Sequence, residues 1–456
     1  MKYPNNLSIH LAAAALGLAA FTACGVEPTP TTRVVDGVFI ELADGASDDT
    51  VLADALSLAQ DTRRDLEAFE PEAGHRIEIE YLGKASFTQQ APEPPAEPAD
   101  VAPPAPDAMS SMDGVNLATG NQFRVRLSYD LLAAIGAHDQ AHGADLGTPA
   151  EESAEPVFVP EGLDPELVAG ASLSNADDDR YRPYGRNATV TNAVHRRIVN
   201  MGGCTGTLVG PRHVVTAGHC LYNRRTSSWS NGYNVDVGRN GTALRASVRV
   251  DRNNVPSGQV VWLFTPSQFR TASNTSGYDF GVLTIPARLG DDVGWMGRVS
   301  YNASSLANAN VYRRGYPMCT STIRIGGVNV ARVDEPCSDD GAAGEQSCTC
   351  REDHLYANAG FCSINEYDNQ DSNNWNRTFY HSCDASAADS GSPLYLYHQG
   401  TASVTAVHYL SSCERIAESH PSHIECTGTR INRPLRATRL TPEWRDWIGY
   451  FRNRFP

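Results

Sequence analysis

Lysine, long apolar runs and internal repeats are all scarce in this chain of 456 residues. Lysine occurs only as Lys2 and Lys84, so the later part carries its positive charge on arginine, a bias from which no function is inferred. Beyond the N-terminal segment no apolar run is long enough to cross a bilayer, which excludes a transmembrane helix there. No segment repeats, which excludes a solenoid or another repeat array.

Cysteine is absent between Cys24 and Cys204. Disulfides are therefore excluded within residues 25–203. Ten of the eleven cysteines lie from Cys204 to Cys426, which is an even number. An even set of cysteines in an exported chain indicates a framework of disulfides.

The N-terminus has the pattern of an export signal. One basic residue precedes an apolar core over Leu11–Phe21, and small residues follow it. This core is too short to span a bilayer. The letters FTAC, which end at Cys24, resemble a bacterial lipobox with Phe in place of the usual Leu. We expect residues 1–24 to be a signal, followed either by lipidation of Cys24 and membrane attachment or by ordinary cleavage.

Charge divides the chain at about residue 177. Residues 1–177 contain 29 acidic and 8 basic side chains, whereas residues 178–456 contain 24 acidic and 29 basic ones. Two parts of opposite net charge attract each other over roughly a Debye length of 8–10 Å at ordinary salt. We expect residues 25–177 to be an acidic pro-region that binds, and in one hypothesis inhibits, the later part.

The acidic part has the pattern of a small α/β unit. VVDGVFIEL and HRIEIEYLG alternate like strands, and DDTVLADALSLAQDTRRDLEAF between them has helical spacing with an acidic start. The Pro, Ala and Glu content near residues 91–114 predicts an extended linker. We expect a further strand and a short helix at 119–135, followed by an acidic segment rich in Ala, Gly and Pro.

From residue 178 onward, short β-type runs recur between Gly, Asn and Pro. Among them are TGTLVG, HVVTAG, QVVWLF, FGVLTI and SVTAVHYL. This pattern predicts an all-β barrel or sandwich. One helix is predicted at the C-terminus, where LTPEWRDWIGYF offers Thr441 as N-cap and Pro442 as the first helical residue. The apolar residues predicted to share one face of this helix are Trp444, Trp447, Ile448 and Phe451.

Three short blocks contain residues suited to nucleophilic catalysis. Ser390 lies in DSGSPL, and a serine hydroxyl needs a neighbouring base before it attacks a carbonyl carbon. His219, in TAGHC, is the candidate base. Asp279 opens the strand run of YDFGVLTI, and a carboxylate there can hold the imidazole in one tautomer and stabilise its protonated form. Each residue alone is compatible with an ordinary turn or surface position, and the combination favours catalysis.

CTGTLVGPRHVVTAGHC, YDFGVLTI and DSGSPL resemble, in this order, the three signature blocks of chymotrypsin-fold serine proteases. CTGTL, GSP and the Cys-Asp pair before the serine are similar to the bacterial glutamyl endopeptidase branch. The resemblance covers roughly residues 180–456 and implies an all-β fold of two six-stranded antiparallel β-barrels with a C-terminal helix, preceded by the small α/β pro-region. It implies an endopeptidase acting on proteins or peptides, without cofactor, metal ion or nucleic acid.

The resemblance also implies roles within the site. Ser390 would be the nucleophile, His219 the general acid/base and Asp279 the residue that orients it. The backbone N–H groups of Ser390 and Ala388 would form the oxyanion hole. Ala388 departs from the family, which usually has Gly at this place, and its Cβ is expected to shift the peptide plane.

Two residues point to different substrate preferences. His408, eighteen residues after Ser390, looks like the histidine that reads an acidic side chain in glutamyl endopeptidases, and an imidazole can pair with a carboxylate. Asp384 stands where trypsin-type enzymes keep the acid that reads Lys or Arg, although glutamyl enzymes with the Cys-Asp pair also have it. An acidic preference is favoured, while a basic or another preference stays open.

Disulfides are expected at several places. A Cys204–Cys220 bridge would hold the histidine loop against its strand, and Cys413 is expected to pair with Cys426. A cysteine-rich insertion near residues 319–383 contains six cysteines, which permit fifteen pairings. Zinc binding by Cys348, Cys350, His354 and Cys362 of this insertion is the alternative, and an oxidising compartment favours disulfides.

Two functions from different classes are therefore compared. The leading one is an exported serine endopeptidase of the cell envelope or medium, made as a zymogen and cut near residues 170–185. The letters RIV at 197–199 resemble an activation site but lie too close to Cys204. The other is a protease-like binding module whose activity is weakened by Ala388 and the insertion, although the complete triad argues against it.

Overall fold

The computed structural model describes residues 31–35, 38–42, 49–59, 76–88, 109–149, 180–181, 183–184, 187–255, 261–273, 275, 277–301, 303–306, 309–317, 322–325, 328–331, 353–358, 361–365, 377–381, 383, 385, 388–410, 414–415, 424–425 and 435–456. The predictions for the signal at residues 1–24 with Cys24, for Asp384, for the Cys413–Cys426 pair, and for the insertion cysteines other than Cys362 and Cys383 lie outside these residues. No helix of the described part is both long enough and apolar enough to cross a bilayer.

The acidic part of the chain folds as a small α/β unit. Its described strands are β1 (Thr31–Val35), β2 (Val38–Leu42), β3 (Ile77–Lys84), β4 (Phe87–Thr88), β5 (Met109–Asn116) and β6 (Asn121–Ser128). Its described helices are α1 (Asp49–Ala59) and α2 (Tyr129–Ala141). Strands β2 and β3 pair in parallel, with α1 between them in the chain, as predicted for a β-α-β unit. The segment VVDGVFIEL was predicted as one strand, but it is divided between β1 and β2, which pair antiparallel.

The later part of the chain is mostly antiparallel β-structure. Its described strands are β7 (Arg180–Tyr181), β8 (Ile198–Asn200), β9 (Thr205–Gly210), β10 (His213–Thr216), β11 (Tyr222–Asn223), β12 (Ser228–Ser230), β13 (Gly232–Val237), β14 (Ala246–Asp251), β15 (Trp262–Pro266), β16 (Gly281–Thr284), β17 (Gly297–Arg298), β18 (Asn310–Gly315), β19 (Thr322–Ile325), β20 (Val328–Ala331), β21 (Tyr356–Asn358), β22 (Cys362–Asn365), β23 (Thr378–His381), β24 (Pro393–His398), β25 (Thr401–Leu410), β26 (Glu414–Arg415), β27 (Ile424–Glu425) and β28 (Leu435–Arg439). Its described helices are α3 (Gly218–Leu221), α4 (Ser267–Thr271), α5 (Leu289–Val293), α6 (Ala303–Leu306) and α7 (Pro442–Arg454).

One sheet of twelve strands runs through both parts of the chain. Its order is β1-β2-β3-β6-β5-β15-β16-β10-β9-β8-β13-β14. The first five belong to the acidic part and the other seven to the later part. The junction is the antiparallel pair of β5 and β15, so the acidic part continues the sheet of the later part.

Six strands of the C-terminal half pair in a closed ring. The ring runs from β18 through β24, β25, β28, β23 and β22 and returns to β18, and every pair is antiparallel. This ring agrees with one of the two predicted six-stranded barrels. The strands of the other predicted barrel lie in the open order of the twelve-stranded sheet, and no pairing among the described residues closes them into a ring. The predicted all-β class of the later part is confirmed.

The C-terminal helix α7 begins where the sequence predicts. The Thr441 Oγ1 accepts a hydrogen bond from the Trp444 N–H at 3.3 Å, and Pro442 takes the first helical position. The four apolar residues predicted to share a face are buried. Phe451 stacks on Phe264 of β15 with ring centroids 3.9 Å apart, which packs the helix on the sheet.

Strand β5 corrects the predicted linker near residues 91–114, because residues 109–114 lie in this strand. Its polar side chains are buried with partners far along the chain. The Ser110 Oγ accepts a hydrogen bond from Trp447 Nε1 at 2.8 Å, and the Asp113 carboxylate accepts one from Ser267 Oγ at 2.6 Å. A buried polar group is tolerated when it is hydrogen-bonded, and composition alone does not reveal such distant partners.

Candidate active site

The candidate base lies on a short helix at the end of a strand. Strand β10 runs through Ala217 into α3, which contains His219 and keeps it buried. The predicted Cys204–Cys220 disulfide is present and ties α3 to the start of β9. Gly218 packs tightly against the sheet, because a Cβ there would lie 2.8 Å from Thr265 Oγ1.

His219 and Asp279 form two hydrogen bonds. The fully buried Asp279 carboxylate accepts one from the His219 backbone N–H through Oδ1 and one from the ring Nδ1 through Oδ2, each at 2.8 Å. The first bond fixes the carboxylate relative to the helix, and the second fixes the imidazole. The Nδ1–H tautomer leaves Nε2 free to accept a proton.

The segment of Ser390 lies directly against the histidine helix. The Ser390 carbonyl accepts a hydrogen bond from the Thr205 N–H at 2.8 Å and lies 3.7 Å from the Cys220 Sγ. The next residue, Gly391, has a φ of 89°, and a Cβ there would collide with Thr216. The structure thus brings all three candidate catalytic residues to one place, although they are far apart in the sequence.

Ala388 adopts a backbone conformation that favours glycine. Its φ is 66°, and the residue is buried. Its carbonyl accepts a hydrogen bond from Thr205 Oγ1 at 3.1 Å, which fixes the peptide on the C-terminal side. The left-handed region is unfavourable for an L-residue with a Cβ, so the departure from Gly that the sequence shows is accompanied by local strain.

Replacing Ala388 with Gly should stabilise the protein. Removing the Cβ from a left-handed residue should raise the free energy of unfolding by about 1–2 kcal/mol. The greater freedom of Gly in the unfolded chain should lower it by about 0.4–1 kcal/mol. Thermal unfolding should therefore occur at a higher temperature, whereas Ala388→Val, with a β-branched side chain at positive φ, should lower it. A Gly variant that unfolds at a lower temperature than the wild type would contradict strain at Ala388.

Asp389, the residue between the two candidate oxyanion donors Ala388 and Ser390, is held by a buried ion pair. Asp389 pairs with Arg313 of β18, and both side chains are fully buried. The Arg313 Nε donates to the Ser392 Oγ at 3.2 Å, and the Ser392 N–H donates to the Asp389 carbonyl at 2.8 Å. A Cβ on Gly315 would lie 3.0 Å from the Arg313 guanidinium, so this glycine leaves space for the pair.

Arg313 was not singled out from the sequence. The only signal was the doubled arginine in the strand run NVYRRG, where a charge interrupts an otherwise β-type pattern. A buried charge on a strand needs a buried partner of opposite charge. The partner of Arg313 is Asp389, which lies 76 residues further along the chain.

His408 lies on β25 beside the candidate nucleophile. Its carbonyl accepts a hydrogen bond from the Gly391 N–H at 2.7 Å, and its own N–H donates to the Ser392 carbonyl at 2.9 Å. Its buried ring Nδ1 lies 3.0 Å from Nε2 of the equally buried His381. Sequence reasoning missed His381, which lies nine residues before Ser390 and belongs to no motif.

Burial keeps this histidine pair neutral. Burial lowers the pKa of His408 well below its usual range, and the nearby His381 and Arg313 lower it further. Burial and then the charge of Arg313 lower the pKa of His381 to about 3. Around neutral pH a single imidazole proton can therefore lie between the two rings, and the pair holds the His408 ring in place.

The cysteine-rich insertion is tied to the segment of the nucleophile. A disulfide joins Cys362, at the start of β22, to Cys383, seven residues before Ser390. The sulfur of Cys362 is therefore no thiolate ligand, which removes one donor from the alternative zinc site. Cys204, His219 and Cys220 also lie close together, but both cysteines of that group form the disulfide described above.

A family model and several known proteins match parts of this chain. A family model described as Trypsin matches residues 182–422, which is more than half of the chain. A glutamyl endopeptidase of Bacillus licheniformis is 36% identical over 141 residues, which is 31% of this chain and 40% of that protein. An extracellular metalloprotease of Bacillus subtilis is 33% identical over 120 residues, which is 26% of this chain and 34% of that protein. The matches thus span well under half of these relatives.

Two solved structures show a weaker likeness. A Glu endopeptidase in complex with MPD has a TM-score of 0.38 and 20% identity over 60% of this chain and 97% of that chain. The protease Anisep from Arthrobacter nicotinovorans has a TM-score of 0.33 and 16% identity over 55% of this chain and 93% of that chain. Likeness at such TM-scores supports no conclusion about this chain.

Proposed function

The chain belongs to the trypsin family, and from that membership we propose that it is a serine endopeptidase that hydrolyses protein or peptide substrates with Ser390, His219 and Asp279. The observation that carries the proposal is the pair of hydrogen bonds from His219 to the buried Asp279, beside the backbone of Ser390. A base with a fixed tautomer next to a serine is the arrangement that nucleophilic catalysis needs.

The first half of the proposed reaction forms an acyl-enzyme. His219 Nε2 takes the hydroxyl proton of Ser390 while the Ser390 Oγ attacks the peptide carbonyl carbon. Asp279 accepts the Nδ1–H and stabilises the imidazolium that forms. The negative charge on the carbonyl oxygen is met by the backbone N–H groups of Ala388 and Ser390. The tetrahedral intermediate collapses when His219 gives its proton to the leaving amine.

The second half hydrolyses the ester of Ser390. A water molecule gives a proton to His219 Nε2 and attacks the acyl carbon. His219 then returns the proton to the Ser390 Oγ, which releases the carboxylic acid product and restores the enzyme. The same oxyanion donors act in both halves, so the conformation of the segment from Ala388 to Ser390 affects both.

We further propose that the preferred bonds follow acidic residues. The glutamyl endopeptidase of B. licheniformis supports this preference by its name, and His408 supports it by its position beside the Ser390 segment. A substrate carboxylate would accept a hydrogen bond from the His408 ring, and pairing with it favours the protonated form of that ring. The competing proposal is that Asp384 binds basic side chains of the substrate, as predicted from its position in the sequence.

Replacing His408 with Val should act on acidic substrates selectively. A hydrogen bond to a charged group contributes about 1.5–3 kcal/mol, so KM for peptides cleaved after Glu should rise about 10- to 100-fold. KM for matched peptides cleaved after Ala should change little. His398→Val, on the neighbouring strand β24, is the control and should affect neither. Equal changes for Glu and Ala peptides would remove the acidic preference.

We also propose that the protein is exported and processed. The signal pattern of residues 1–24 supports export, and the Bacillus subtilis relative is named as extracellular. Cys24 would attach the protein to the membrane of the cell envelope if it is lipidated, and the chain would be secreted otherwise. The acidic residues 25–177 are proposed as the pro-region of a zymogen that is cut near residues 170–185.

Cleavage profiling tests the proposed function directly. Purified, processed protein is incubated with a peptide library derived from a proteome, and the new termini are identified by mass spectrometry. We expect new termini after Glu or Asp, and none with the Ser390→Ala variant. A profile without cleavage, or one that the Ser390→Ala variant reproduces, would favour the binding module instead.

A further inference from the structure

We propose that the N-terminal layer, defined as the described residues from 31 to 149, is a permanent structural part of the enzyme. It stays bound to the later part after the chain between them is cut. A removable pro-region would leave behind a complete protease surface, whereas this layer provides one edge of the large sheet. The proposal goes beyond the catalytic function and concerns the surface that the later part offers to its own N-terminal segment.

The backbone of the layer completes an otherwise open strand edge. Strand β5 pairs with β15 over five residues, from Trp262 opposite Asn116 to Pro266 opposite Met112. The Leu117 N–H extends the pairing with a bond of 2.8 Å to the Val261 carbonyl. Loss of β5 would expose the edge of β15, which has the sequence WLFTP. An exposed, apolar edge strand is a template for aggregation.

A second backbone contact lies on the other side of the layer. Strand β4 pairs in parallel with β12, and the Trp229 N–H donates to the Ser86 carbonyl at 2.9 Å. The buried Trp229 ring also donates from Nε1 to Gln122 Oε1 at 2.9 Å. Without the layer this indole N–H and the ring around it would face solvent.

Apolar side chains of both parts form one continuous core. Phe123 of β6 lies against Trp262 of β15 with ring centroids 6.0 Å apart, and both side chains are fully buried. Val115 and Val125 belong to the same cluster as Leu263. Burial of each large apolar side chain contributes about 1.5–3 kcal/mol relative to exposure, so the separation of the two parts would be costly.

Buried polar groups of the two parts also satisfy each other. The Asp113 carboxylate, 1% exposed, accepts hydrogen bonds from Arg270 at 3.0 Å and from Ser267 at 2.6 Å. Asp139 of α2 pairs with Arg298 of β17, and both side chains are almost fully buried. Removing one member of a buried ion pair strands the other charge, which is more costly than losing a surface pair.

Long-range attraction between an acidic and a basic part is therefore only one of the interactions that bind the layer to the later part. The layer is bound by a shared sheet and a shared core, and its charged contacts are buried pairs rather than long-range attraction. These properties resemble the inside of one domain more than the contact of a detachable inhibitor.

The junction strand of the layer does not pair with the strand that leads to His219. Strand β10, which leads to His219, is separated from β5 by β16 and β15. Neighbouring strands lie about 4.8 Å apart, so β5 is roughly 14 Å from β10 across the sheet. Strand β4 comes nearer, because its partner β12 also pairs with β11, which follows the helix of His219. The proposal is that the layer stays in place while the site works.

An engineered cut tests the proposal on the full chain. A recognition site for a specific protease is inserted between residues 150 and 177, and the folded protein is cut and passed over a size-exclusion column. We expect both fragments to elute together as a 1:1 complex, with unchanged activity, and to separate only in denaturant. Fragments that separate under native conditions, with the later one soluble and active alone, would overturn the proposal.

A matched pair of variants tests the assigned interface. Asp113→Ala removes a buried carboxylate that binds the later part, whereas Asp130→Ala removes an exposed one from α2. In the cut protein we expect dissociation at a lower urea concentration for Asp113→Ala, and no change for Asp130→Ala. Equal urea dependence of the two variants would contradict the interface.

Discussion

Replacing Asp279 with Asn should lower kcat by about 10⁴-fold while the protein stays folded. The reason lies in the two hydrogen bonds that Asp279 accepts from His219. An amide must direct its oxygen to one N–H and its NH2 group to the other position. With the oxygen on the backbone N–H, the NH2 group faces ring Nδ1 and forces the proton onto Nε2. The ring then cannot accept the proton of Ser390.

Asp236→Asn is the matched control for this prediction. Asp236 is also buried and also accepts two hydrogen bonds, from Arg239 and Ser247, but it lies outside the proposed site. Steady-state kinetics should give a wild-type kcat for this variant, and thermal unfolding should show that both variants fold. A loss of less than tenfold for Asp279→Asn would contradict its proposed role.

Replacing Asp389 with Asn should have the second large effect. The carboxylate anchors the residue between the two oxyanion donors, so kcat/KM should fall about 10²- to 10³-fold, as for the loss of one donor. Stability should fall by about 3–5 kcal/mol, because Arg313 would lose the charge of its buried partner. Kinetics and chemical unfolding measure the two effects separately.

A double variant separates positioning from stability. Arg313→Met in the Asp389→Asn background removes the stranded charge, so stability should recover in part while kcat/KM stays low. The cycle needs the Arg313→Met single variant as well. Full activity of the Asp389→Asn variant, or recovery of activity together with stability in the double variant, would contradict a positioning role for the pair.

Local signals predicted the parts of the fold that depend on neighbouring residues. Thr441 and Pro442 placed the C-terminal helix, because capping acts within one turn. The blocks around His219, Asp279 and Ser390 were found because each has a fixed local pattern. The structure adds that these three blocks lie close together. From the sequence, this proximity was implied only by the family resemblance, through the order of the motifs.

The elements that were missed depend on distant partners. Strand β5 looked like linker because Ser110 and Asp113 are polar, and the groups that satisfy them, Trp447 and Arg270, come much later in the chain. The docking of the acidic part was predicted from net charge, whereas its main causes are strand pairing and a shared core. Neither register nor core sharing can be read from composition.

Labelling with a fluorophosphonate tests the central claim most directly. Purified protein is treated with the probe, and the modified residue is located by mass spectrometry. We predict a single adduct on Ser390, with a rate that collapses in His219→Ala and is unchanged in the Asp236→Asn control. An unlabelled Ser390 in the folded protein, or labelling that does not depend on His219, would contradict the account.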